Sequence, residues 1–78
     1  MHHDTISDYL TRIRNAMMVS HASVQVPYAK MLEQLTQLLQ REGYLARYEV
    51  VGDTPSTKKL RIYLKYDNKG YSVIRRIE

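Results

Sequence analysis

Seventy-eight residues limit this chain to one small domain with a modest core. With no cysteine there is no disulfide framework and no thiolate metal site, and no apolar run reaches the length of a membrane span. Twelve Lys and Arg against eight Asp and Glu leave a formal charge of +4 and a pI near 9.5, an excess that favours polyanionic partners without demanding one. No secretory pattern opens the chain, so a cytosolic, soluble protein is expected. The aromatic set is seven Tyr with neither Phe nor Trp. Tyr can fill a core edge with its hydroxyl wet, or stack on a base.

The first predicted element is a helix running from Asp4 through Ala16. Asp4 stands where an N-cap belongs, and Asp8 adds negative charge near the positive end of the helix dipole. Ile6, Leu10, Ile13 and Met17 fall on one side at a period of 3.6 and are expected to face the core. Thr11 and Asn15 point away, with Arg12 and Arg14 flanking that polar face. Two guanidiniums beside a polar helix face suit phosphate, although on chemistry alone an ordinary solvated face is the better account of them.

Ser20 to Ser23 reads as a polar connection, and Val24 to Val26 as a short strand closed by Pro27. A second helix is predicted from Tyr28 to Glu42, with Met31, Leu32, Leu35, Leu38 and Leu39 on its apolar face. Gly43 is placed as its C′ residue. Free amides at the start of this helix favour an anion, to which Lys30 adds its charge.

The period then changes to two. Tyr44 to Val51 and Leu60 to Tyr66 alternate as strands do, separated by the breaker-rich Gly52–Ser56. Asp67–Gly70 is a turn, and Tyr71 to Ile77 reads as a last strand. The expected fold is α+β, in the order αβαβββ, with two helices on one face of a small, mainly antiparallel sheet. Residues 1–78 would form that single domain, with Ile6, Leu10, Ile13, Leu35, Leu38, Ile62 and Leu64 in its core.

Catalysis finds little support. Asp4 and Asp8 are one helical turn apart but serve better as cap and dipole partner, His2 and His3 lack a third metal ligand at a telling spacing, and His21 is alone. No enzyme, metal or cofactor is expected. Lys59, Arg61 and Lys65 share a strand face with Tyr63, as on a nucleic-acid platform. The solvent side of a one-faced sheet explains the pattern better, with Arg47 and Glu49 expected on the same face and Glu49 partly neutralising it.

Four segments in order resemble the bacterial small-subunit ribosomal protein number eight family. They are Asp-Thr-Ile-Ser-Asp-Tyr-Leu-Thr-Arg-Ile-Arg-Asn-Ala from Asp4, Val26-Pro27-Tyr28-Ala29-Lys30, Leu39-Gln40-Arg41-Glu42-Gly43-Tyr44, and Leu60-Arg61-Ile62-Tyr63-Leu64-Lys65-Tyr66. The resemblance implies a cytoplasmic ribosomal protein that binds the central domain of small-subunit ribosomal RNA early in assembly, beside neighbouring ribosomal proteins. In some bacteria such proteins also repress their own messenger. Arg12, Arg14, Asn15 and Lys30 match the pattern and are the RNA-side residues it implies. Thr5 stands where the family usually has Pro, and Ala29 where it has a Ser. The family has two domains, and the resemblance covers the first. The Ser-Thr-Ser loop of the second, which makes the principal base contacts, is not in these residues, so an isolated or truncated N-terminal domain is implied. A different reading is a self-association module whose last strand pairs with another chain through an open edge.

Overall fold

The computed structural model describes residues 5–70, in the order αβαββ. Helix α1 is Thr5–Met18, strand β1 Ser23–Pro27, helix α2 Lys30–Arg41, strand β2 Leu45–Val51 and strand β3 Lys59–Leu64. The Asp4 cap, the histidine pair at His2 and His3, and the predicted strand from Tyr71 to Ile77 lie outside the described residues.

Both helix ends are set by local chemistry. After α2, Gly43 takes the left-handed conformation at φ 85°. Its N–H donates to the Gln40 carbonyl and that of Tyr44 to the Leu39 carbonyl, the pair of bonds that closes a helix C-terminus when C′ is left-handed. After α1 the same pair forms without glycine. Ser20, at φ 57°, donates to the Met17 carbonyl, and His21 donates to that of Ala16. Helix α2 begins at Lys30 rather than Tyr28, because Ala29 remains extended at φ −151° and ψ 142°, and the Tyr28 N–H is drawn to the Lys58 carbonyl.

The three strands form an antiparallel sheet in the order β1-β3-β2, so β3 is central. Leu60, Ile62 and Leu64 of β3 are buried under the helices, α1 lying over β1 and α2 over β2. The opposite face carries Lys59, Arg61 and Tyr63; Arg61 pairs laterally with Gln25 of β1 and Glu49 of β2, Tyr63 with Ser23 and Arg47, and Lys59 with Pro27 and Val51. Strict alternation along β2 fails between Leu45 and Arg47, where a bulge shifts the register. Leu45 and Tyr48 therefore both turn to the helix side, Leu45 opposite Leu64 and Tyr48 opposite Ile62.

The core consists of Tyr9, Ile13 and Ala16 of α1, Val26, Leu32, Leu45 and the three β3 residues. Of the residues expected there from periodicity, Ile13, Ile62 and Leu64 are buried, and Leu10 and Leu35 are partly buried against the cluster. Ile6 and Leu38 are corrections, being 39% and 43% exposed. The buried face of α1 is Tyr9–Ile13–Ala16, with Ile6 left on its flank. In α2 the buried pair is Leu32 and Thr36. Thr36 is fully buried yet satisfied, since its hydroxyl donates to the Leu32 carbonyl at 2.7 Å and meets the Tyr9 hydroxyl at 2.6 Å.

Candidate nucleic-acid interface

Arg12 projects from the flank of α1 that borders β1. Its Nε donates to Asp8 Oδ2 at 3.0 Å, one turn back, with both side chains about half exposed. An exposed pair at this spacing is worth only a few tenths of a kcal/mol, so Asp8 orients the guanidinium without using up its charge. Two grooves meet at this side chain. One runs past Thr11 and Tyr9 to Pro27, Tyr28 and Ala29, where α2 begins. The other joins Arg12 to Asn15, His21 and Val24. Asn15 is thus brought beside Arg12, whereas Arg14 is exposed on α1 and lines neither groove.

The start of α2 closes the first groove. Ala29 occupies the N-cap position and offers no side-chain oxygen, so no cap bond reaches the first-turn amides. Lys30, the first helical residue, is exposed there. The helix end puts a partial positive charge at that end of the groove, and Lys30, next in sequence to Ala29, is exposed beside it without lining it. The turn before it is clamped by Glu33, whose two carboxylate oxygens accept from the hydroxyls of Tyr28 at 2.7 Å and Tyr48 at 2.9 Å. Gln37 donates to the same Tyr48 oxygen, and Lys58 lies 4.8 Å over the Tyr28 ring. The Tyr28 bond, then that of Tyr48, holds the Glu33 carboxyl below its ordinary range. The carboxylate in turn pushes the Tyr28 phenol up.

The uncovered sheet face has a different character. Glu49 lies at its centre, accepting from the Tyr63 hydroxyl at 2.8 Å and Arg61 Nη1 at 3.1 Å, with Arg47 Nη1 at 3.8 Å. The Tyr63 bond leads in holding this carboxyl below its usual range, and the two guanidiniums add to it. Arg47 lies over the Tyr63 ring, 3.8 Å from its centre, as their direct pairing across β2 and β3 allows. With its oxygen turned toward Arg61, the Gln25 amide accepts from Nη2 at 2.9 Å and Nε at 3.2 Å. The partial neutralisation expected from Glu49 is therefore present, on the face where sequence alternation had placed Lys59, Arg61 and Tyr63. The Glu33 clamp and the Arg47–Tyr63 stack had no local signal in the sequence, because each joins residues whose proximity depends on strand pairing or helix docking.

The described residues present basic and hydrogen-bonding groups on two surfaces, and the carboxylates Glu33 and Glu49 are both engaged by phenol donors. Comparison with known proteins agrees with the pattern. The family model for ribosomal protein S8 matches residues 4–78. The small ribosomal subunit protein uS8 of Dictyoglomus thermophilum is 54% identical over 66 residues, covering 85% of this chain and 50% of the relative. That of Lacticaseibacillus casei is 48% identical over 71 residues, covering 91% and 53%. That of Dehalococcoides mccartyi is 41% identical over 75 residues, covering 96% and 56%. The chain spans about half the length of the curated relatives it matches. By a family match that takes in nearly every residue, this chain belongs to the ribosomal protein S8 family, which is not a family of enzymes.

Proposed function

We propose that the chain is the N-terminal part of a small-subunit ribosomal protein that binds ribosomal RNA through the β1-side flank of α1 and the start of α2, within the cytoplasmic ribosome and beside other ribosomal proteins. The observation that carries this reading is the position of Arg12, which lines both the groove ending at the uncapped α2 terminus and the groove shared with Asn15. Arg12 and Lys30 neutralise phosphates, Asn15 donates to a phosphate or sugar oxygen, and Arg14 reaches the backbone from the outer side of α1. Such contacts fix position and register and carry little base information. The relatives' names, which place them in the small subunit, support the choice of partner.

A salt titration tests it. Binding to a bulged RNA stem should weaken with salt along a shallow slope, about 0.9 in log–log terms per phosphate neutralised on a duplex. An unrelated duplex should bind nearly as well, because backbone contacts dominate. Tight, salt-insensitive binding to one sequence would contradict the reading. Mass that grows with concentration, without RNA affinity, would point instead to self-association through a sheet edge.

A further inference from the structure

Among the described residues, the sheet face turned away from the helices carries Arg47, Lys59 and Arg61 around the carboxylate of Glu49, and Lys65 is exposed just past the end of β3. Arginine ordinarily grips phosphate or carboxylate with its N–H fork. Here the fork of Arg61 is occupied on both sides, by Glu49 toward β2 and by Gln25 toward β1. Arg47 has one face against the Tyr63 ring, and Glu49 stands beside its Nη1, while the side chain stays 59% exposed. What these two guanidiniums offer a ligand is a flat, positively charged π face. Lys59 and Lys65, exposed near the two ends of β3, stand about 20 Å apart at the rise of an extended strand.

We propose that this face is a stacking platform for unpaired nucleobases of RNA, built on Arg47 over Tyr63 and on Arg61 held between Glu49 and Gln25. Lys59 and Lys65 neutralise the flanking phosphates. A duplex hides its base faces, and an acidic protein surface would meet the lysines and the Arg47 N–H groups but leave the flat faces of the guanidiniums unused. A single strand supplies both flat rings and negative charge, which is the pair of properties the face matches. The surface lies apart from the α1 flank, and the inference stands whether or not that flank binds RNA.

The test compares a short fluorescein-labelled oligoadenylate with an abasic strand of the same length, by anisotropy at one salt concentration. The wild-type chain should bind the strand with bases about tenfold more tightly, the size of one good stacking contact. Arg47→Lys keeps the charge and removes the plane. It should bind the abasic strand as wild type does, melt at the same temperature, and lose most of the preference for bases. Amide shifts on adding oligoadenylate should fall on Arg47, Arg61 and Tyr63. Equal affinity of wild type for both strands would overturn the proposal. So would a preference undiminished in Arg47→Lys, or shifts confined to Arg12 and Asn15.

Discussion

The hydroxyls of Tyr9 and Thr36 meet at 2.6 Å inside the core, joining two helices across 27 residues of sequence. Thr36 spends its proton on the Leu32 carbonyl, so Tyr9 is the donor of the shared bond. Burial holds the Tyr9 phenol above its ordinary range. The two single substitutions should therefore differ. Tyr9→Phe leaves Thr36 bonded to Leu32 and should cost about 1 kcal/mol, whereas Thr36→Val strands a buried phenol and should cost about 1–3 kcal/mol. The double variant should be more stable than the sum of the singles implies, by urea denaturation. Additive effects would mean that the two hydroxyls do not share a bond in solution.

Leu32 and Leu38 test which way α2 faces. Leu32 is 2% exposed and Leu38 43%. Leu32→Ala should cost about 2–5 kcal/mol, in the usual range for a buried leucine. Leu38→Ala should stay within about 0.5–1 kcal/mol. Leu35, packed against the cluster but not enclosed, should fall between them.

Acid should destabilise the fold through Glu33. Its folded pKa lies below the ordinary value of 4.5, with the Tyr28 bond as the largest cause. A depressed folded pKa contributes stability that is fully present above the unfolded value, and that is lost as pH falls through the folded one. The melting temperature should accordingly drop on the acid side of 4.5. A Tyr28→Phe, Tyr48→Phe double variant should melt lower at neutral pH and lose less on acidification. Some acid dependence should remain, since Glu49 titrates with the same sign.

For a bulged RNA stem, Arg12→Gln with Arg14→Gln should weaken binding more than Arg61→Gln with Lys65→Gln. Arg12 gives its Nε to Asp8, whereas all three nitrogens of the Arg61 guanidinium already have an acceptor in Glu49 or Gln25. Each phosphate contact removed should reduce the salt slope by about 1. Both helix positions are exposed, so thermal stability should hold. Greater loss in the strand variant, at equal stability, would move the stem-binding surface to the sheet.

The elements were legible in the sequence where one residue type decides them. Gly43 marked the end of α2, and the alternation of Leu60, Ile62 and Leu64 marked β3 and its buried face. Leu38 and Ile6 were misplaced because an apolar count cannot rank them against Tyr9 and Thr36. A tyrosine and a threonine become good core residues only when each satisfies the other, and the partner lies on another helix. The bulge at Leu45/Arg47 was hidden for a related reason, since a register shift is a property of two strands. At the proposed RNA flank, helix periodicity was enough to place Arg12 and Asn15 on the polar side. It gave no sign that Arg12 would meet the start of α2, a relation that depends on how β1 carries the chain back alongside α1.

The position of β3 bears on how such a chain is made. Among the described residues, strands β1 and β2 do not pair with each other, and each finds its strand partner on β3. Synthesis runs from the N-terminus, so everything through Val51 emerges before any of the sheet has a template. Until Leu64 has left the peptidyl-transferase tunnel, Val24, Val26 and Leu45 have no central strand to pair against, and α1 and α2 have only part of their floor. The nascent chain would therefore acquire its fold in one late event and not stepwise from the start, leaving its apolar helix faces for other factors to shield in the meantime.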